Sequence, residues 1–272
     1  MKRLLTAAVG VPLALAAIFR LPGWGFFLVC AVLMTGAAVE FARLARNAAP
    51  HAPWWALPVL VPLVAAAFAR GLADGVEVDG FWALGLGAGA AIGLGALVLL
   101  ARTPVVEAFA GLGGLAFGVP YFAVPVAALY RLQRHDPWVL FLLLAIVWLG
   151  DSAAYYVGVR FGRHRLAAVV SPQKSWEGAA AGFATSVASV VVWSLWRLDG
   201  IDAQLIAIGA VTALASQLGD LVESLLKRAA GVKDSGEILP GHGGLWDRMD
   251  SMLFAAPVML LLLRLAGYEG LP

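Results

Sequence analysis

Charge is scarce in this sequence. Asp, Glu, Lys and Arg account for 13% of its 272 residues against 61% hydrophobic ones, and the mean hydropathy is +0.86. That balance excludes an ordinary soluble globular domain. One cysteine, Cys30, excludes an intramolecular disulfide. Neither a GxxxxGK[ST] run nor a glycine fingerprint behind a strand occurs, so a soluble nucleotide-binding fold is unsupported. Linkers, low-complexity tails, charge blocks and internal repeats are missing too, and a single membrane domain over 1–272 is expected.

Long apolar runs are abundant. Crossing ~30 Å of hydrocarbon takes about 20 residues in a helix. Runs near that length stand at about 4–19, 22–39, 53–69, 80–101, 108–130, 137–159, 178–198, 201–226 and 251–267. The expected fold class is therefore an all-α integral membrane protein of about nine transmembrane helices. Lys2 and Arg3 before the first run, which ends near "ALAA", have the form of a secretory leader. Nothing downstream looks like a secreted domain, and a retained first span is the simpler account. Under the nine-span topology thirteen Lys and Arg fall on the N-terminal side and six on the other. The positive-inside rule then puts the N-terminus and the loops at 160–177 and 227–250 in the cytoplasm.

The two halves differ in kind. Residues 1–135 form a scaffold and oligomer-packing half, with small residues at helical spacing (Gly85, Gly89 and Gly93; Gly114 and Gly118) that allow close helix approach. Pro120 and Pro125 are expected to kink or break the fifth span. Trp24, Trp54, Trp55, Trp82, Trp138, Trp193 and Trp196 lie near span ends, as interfacial anchors do. Glu40 has Arg43 at i,i+3, which reads as a local ion pair.

Residues 136–272 form the catalytic half, because here ionisable groups enter the spans. Asp151 ends the run "WLGD". In span eight Ser216, Asp220, Glu223 and Lys227 lie within about 60° of one another at 100° per residue, a stripe that must face protein or water. Lys227, Arg228, Lys233, Asp234, Pro240, Gly241, His242, Gly243, Gly244, Asp247, Arg248 and Asp250 follow. Lysine and arginine clamp phosphate oxygens, and a glycine-rich turn presents backbone donors. Asp220 with Asp247 and Asp250 supplies the hard oxygen ligands that Mg²⁺ prefers. Such a site suits phosphoryl or nucleotidyl transfer. Taken singly, "PGHGG" is as much a turn as a phosphate cradle, Asp247 and Asp250 are also plausible helix caps, and His242 lacks the Cys/His neighbours of a zinc ligand. In "VVSPQKSWEG" Lys174 offers a cation and Ser175 either a hydroxyl for a ligand or an N-cap for the next helix.

The run Ser224 to Asp250, "SLLKRAAGVKDSGEILPGHGGLWDRMD", resembles the signature SxxKRxxxxKDxxxxxPGHGGxxDRxD of the phosphatidate cytidylyltransferases. "WLGDSAAYYVGVRFGRH" and "SPQKSWEG" are similar to further patterns of that family, except that Gln173 stands where members commonly carry a second lysine. The resemblance implies transfer of CMP from CTP to phosphatidic acid, a Mg²⁺ requirement, a second cation such as K⁺, and a homodimer in the bilayer. No nucleic-acid partner is expected. On that footing Asp220 and Asp247, with Asp250 as a third ligand, hold the metal. Lys227, Arg228, Lys233 and Arg248 screen phosphate repulsion, with Asp234 counted among the catalytic candidates. Gly241, Gly243 and Gly244 cradle the nucleotide and His242 contributes to binding. Asp151, Lys174 and Ser175 are substrate-binding candidates. The alcohol phosphatidyltransferases are disfavoured because their longer DGxxAR motif is absent. A transporter is disfavoured because the polar residues crowd into one half.

Overall fold

The computed structural model describes residues 2–73, 77–102, 105–236 and 243–268, with side chains within 9–70, 85–101, 105–236 and 243–268. Among these residues the chain forms nine α-helices, each over one expected apolar run, and a small hairpin: α1 (Lys2–Arg20), α2 (Gly23–Ala45), α3 (Ala56–Ala73), α4 (Glu77–Arg102), α5 (Ala108–His135), α6 (Pro137–Phe161), β1 (Arg165–Ala167), β2 (Ser171–Ser175), α7 (Trp176–Arg197), α8 (Ala203–Ala229) and α9 (Asp250–Leu265). Among the described residues five segments are long and apolar enough to cross a membrane: α2, α5 with its preceding 3-10 turn, α6, α7 and α8. The apolar stretches Val9–Arg20, Ala56–Arg70 and Gly85–Ala101 are shorter. Nine expected runs are thus matched by nine helices, of which five, over the described residues, have the length and hydropathy of a span.

Two compact units divide the chain, one of residues 1–131 with 229–249, the other of 132–228 with 250–272. In the first, a cluster of edge-on rings joins Phe41 of α2, Phe122 of α5, Trp54 and Trp246. Trp54 is buried and donates its indole N–H to the Ala49 carbonyl at 2.7 Å, so it is core rather than an interfacial anchor. Trp193 is likewise buried, whereas Trp24, Trp55 and Trp196 are exposed as anchors are; the Trp82 side chain lies outside the described residues. Gly114 and Gly118 pack as expected: a Cβ on Gly114 would come to 2.5 Å from Trp54, and one on Gly118 to 3.0 Å from Leu57. The α4 expectation needs correcting. Gly85, Gly89 and Gly93 have no heavy atom within 4 Å of a notional Cβ, and the glycines that seat the helix are Gly87 against Val64 and Gly95 against Leu112 and Leu115. Both sets share the helical period, so spacing alone does not choose the face. α5 runs unbroken through Pro120 and Pro125; membrane helices tolerate such prolines where their surroundings re-satisfy the freed carbonyls.

In the second unit the caps are legible. Asp136 accepts from Trp138 N at 2.9 Å to start α6, with Pro137 in the first turn, and Ser175 Oγ accepts from Gly178 N at 3.1 Å to start α7. Asp202 Oδ1 accepts from Gln204 N and Leu205 N to start α8. α6 and α7 lie backbone to backbone. A Cβ on Gly178 would meet the Ala154 carbonyl at 2.6 Å and one on Gly182 the Gly150 carbonyl at 2.8 Å, while Ser186 Oγ donates to the Ile146 carbonyl at 2.7 Å. α8 is held by Gly209 beneath Val190 of α7 and by Gly219 against the Asp250 carbonyl and Phe254 of α9. β1 and β2 pair antiparallel, Arg165 with Ser175 and Ala167 with Ser171.

Candidate active site

The polar stripe of α8 turns inward, as its composition demands. Ser216, Glu223 and Lys227 are buried and Asp220 is partly exposed. One turn apart on the same face, Asp220 and Glu223 meet Asp250 from the first turn of α9, each offering a carboxylate oxygen within 4.8 Å of the others. Gly219 makes that meeting possible, because a side chain there would strike the Asp250 backbone. Asp250 also accepts from the Ser251 N–H at 2.6 Å. Asp151 of α6 interacts with the Ser251 side chain and lies in electrostatic range of Asp220 and Lys174.

Two lysines answer this negative charge. Lys174, at the end of β2, places Nζ 2.6 Å from Asp220 Oδ2, and Lys227 places Nζ 2.7 Å from Glu223 Oε2 one turn along α8. The hairpin is fastened nearby by Arg228, whose Nε donates to the Val170 carbonyl at 3.2 Å. Glu177, in the first turn of α7, accepts from Arg163 N at 3.1 Å and pairs with His164 Nδ1 at 2.6 Å. Ser175 is buried and caps α7, which sets the direction in which Lys174 leaves the strand. Three carboxylates beside two ammonium groups make an oxygen-rich cluster. That donor set fits a hard divalent cation.

The remaining signature residues belong to the first unit. Lys233, Asp234 and Arg248 are exposed there. Asp247 Oδ2 accepts from Gly244 N at 2.7 Å, Ser235 N at 3.0 Å and Ser235 Oγ at 3.1 Å. Gly243 takes a positive φ of 77°, which only glycine adopts without strain. Pro240, Gly241 and His242 lie outside the described residues. Glu40 overturns its expected local pairing with Arg43. It is wholly buried, and its carboxylate accepts from Leu245 N, Trp246 N and Ser235 Oγ, all in the signature segment. Arg43 is exposed. Glu223 is the residue of the acidic trio that the expected ligand set left out, although its place on the stripe beside Asp220 was visible in the spacing.

Comparison with known proteins follows the same residues. The model of the cytidylyltransferase family matches residues 1–266. A phosphatidate cytidylyltransferase of Pseudomonas aeruginosa is 34% identical over 98% of this chain and 98% of its own length. One from Haemophilus influenzae is 41% identical over 48% of this chain and 50% of its own, and one from Thermotoga maritima 41% identical over 46% and 48%.

Proposed function

The chain belongs to the cytidylyltransferase family, and from that membership we propose that it transfers CMP from CTP to phosphatidic acid, giving CDP-diacylglycerol and pyrophosphate for phospholipid synthesis. The observation that carries the chemistry is the convergence of Asp220, Glu223 and Asp250 beside Lys174 and Lys227. Phosphatidate keeps its acyl chains in lipid while CTP comes from water, so the reacting groups must meet at helix ends. Asp250 stands at the start of α9 and Asp220 in the C-terminal half of α8.

A phosphatidate oxygen attacks the α-phosphorus of CTP in line; a P–O bond forms, the bond between α and β phosphates breaks, and pyrophosphate leaves with its electron pair. A general base is unnecessary, because the second pKa of a phosphomonoester is near 6 and the nucleophile is ionised at neutral pH. The larger task is neutralising two anionic reactants. Asp220, Asp250 and, from the signature, Asp247 are the proposed Mg²⁺ ligands, with Glu223 holding Lys227 in register behind them. Bound Mg²⁺ would neutralise the triphosphate and orient it for displacement. Lys227, Arg228, Lys233 and Arg248 screen phosphate charge. Gly241, Gly243 and Gly244 are the proposed nucleotide cradle, with His242 and Asp234 beside it. Lys174 meets the phosphatidate headgroup, held in place by the Ser175 cap, and Asp151 completes the substrate side. A second cation such as K⁺ and a homodimer are carried over from the family resemblance; the open glycine face of α4 supports the latter. The excess of Lys and Arg on one side supports a site facing the cytoplasm of a bacterial inner membrane.

The test is incorporation of label from α-³²P-CTP into lipid in phosphatidate-containing detergent micelles, titrated with MgCl₂. Label in CDP-diacylglycerol that requires Mg²⁺ is expected, and Asp220→Asn should abolish it at saturating CTP while the protein still melts cooperatively. Metal-independent transfer, or full turnover by Asp220→Asn, would refute the assignment.

A further inference from the structure

Glu40 belongs to no motif, yet its carboxylate is 0% exposed in the middle of the first unit. A carboxylate so buried is tolerated only when its lone pairs are met. One segment meets them. Leu245 N donates to Oε1 at 2.9 Å, and Trp246 N and Ser235 Oγ donate to Oε2 at 2.9 and 2.7 Å. These donors flank the glycine-rich turn on both sides. The backbone is laid against the carboxylate so closely that a Cβ on Gly236 would stand 2.6 Å from Glu40 Oε1, and one on Gly244 would run into Glu40 and Ser235. On the far side of the same serine stands Asp247, whose Oδ2 takes Ser235 N, Ser235 Oγ and Gly244 N. The serine has one hydroxyl hydrogen, and the shorter of its two carboxylate contacts is with Glu40.

We propose that Glu40 is a positioning residue for the transferase: from α2 it fixes Ser235, Leu245 and Trp246, and through them the orientation of Asp247. The inference rests on the reading of Asp247 as a metal ligand. Glutamine at position 40 keeps the volume but turns amide hydrogens towards donors, so the segment loses its anchor without a cavity being made. Alanine at position 236 pushes directly on the same carboxylate and leaves the Glu40 side chain unmutated, so it serves even where Glu40→Gln does not fold.

Two readings on the purified full-length protein test this. Hydrogen exchange of peptides spanning 243–249 should quicken by about tenfold in Glu40→Gln and in Gly236→Ala. The Mg²⁺ concentration for half-maximal CMP transfer should rise by about 10–100-fold, the usual cost of losing an outer-shell partner, while the KM for phosphatidate stays unchanged. A merely structural lesion lowers the active fraction and leaves half-saturation by Mg²⁺ where it was; that result overturns the proposal, as does unaltered exchange. Since the Gly236→Ala methyl meets Glu40 first, its penalty should disappear in a Glu40→Ala background, and additive penalties count against the mechanism. Asp247→Asn in the same assay separates the two readings. Full activity there removes the metal role of Asp247, whereas an inactive Asp247→Asn beside a normal Glu40→Gln removes Glu40 alone.

Discussion

Single residues carry the electrostatics of this protein, and Lys227 is the most exacting case. Its ammonium group sits with Glu223 in a site almost closed to solvent. Removing one partner of such a buried pair costs about 3–5 kcal/mol, whereas removing both is far milder. Lys227→Met should therefore lower the melting temperature in detergent sharply, and Glu223→Gln with Lys227→Met should recover most of it. Outside the spans, Tyr268 donates its hydroxyl hydrogen to Asp202 Oδ2 at 2.5 Å. That hydrogen bond holds the Asp202 carboxyl below its ordinary range, while burial and the same bond push the Tyr268 hydroxyl up to about 12. The depressed carboxyl stabilises the fold above the unfolded pKa of about 4 and loses that contribution as pH falls through its lower folded value. The raised phenol contributes below its unfolded pKa of about 10 and loses its contribution as pH rises through about 12. Tyr268→Phe should thus melt below the native protein at pH 7, and the gap should close in acid. A pH-independent gap would exclude the ion-linked account. At this scale the inward stripe of α8 was readable from spacing. The role of Glu40 was not, because Arg43 offered a partner within one turn while the true donors lie 195 to 206 residues away.

At the scale of elements, apolar length sufficed to locate the nine helices of the described residues, because a 20-residue oil run has few alternatives. The hairpin escaped, since β1 is three residues long and lies in a polar loop where periodicity has no room to register. Its importance is mechanical. β2 runs straight into the Ser175 cap, so the approach of α7 to α6 decides where Lys174 stands. Gly178→Ala would press a methyl into the Ala154 carbonyl, an overpacking of about 1–3 kcal/mol, and should draw Lys174 away from Asp220. Gly158→Ala is the control, because its methyl would meet nothing nearer than Ser175 Oγ at 3.4 Å. Loss of transfer activity and of thermal stability is expected for the first and neither for the second.

For the whole molecule, orientation is the property that arginine and lysine asymmetry makes testable. Cys30 is buried, so a new thiol can be followed against a quiet background. Val169→Cys, at the exposed tip of the hairpin, should react with a membrane-impermeant maleimide only after cells are opened. Asp199→Cys, in the turn between α7 and α8, should react from outside. The reverse pattern inverts the topology. Among the described residues five helices are long and apolar enough to span, and α9, at 16 residues, is shorter than a full crossing.

The clamp between Glu40 and Trp246 also bears on biogenesis. Its two halves are 206 residues apart, and at ~5–20 residues per second the ribosome needs roughly 10–40 s to deliver the second after the first. Throughout that interval α2 carries an acid whose partners have not been made. A nascent chain that stops before Ser235 therefore carries the Glu40 carboxylate without the three donors that meet it in the finished protein.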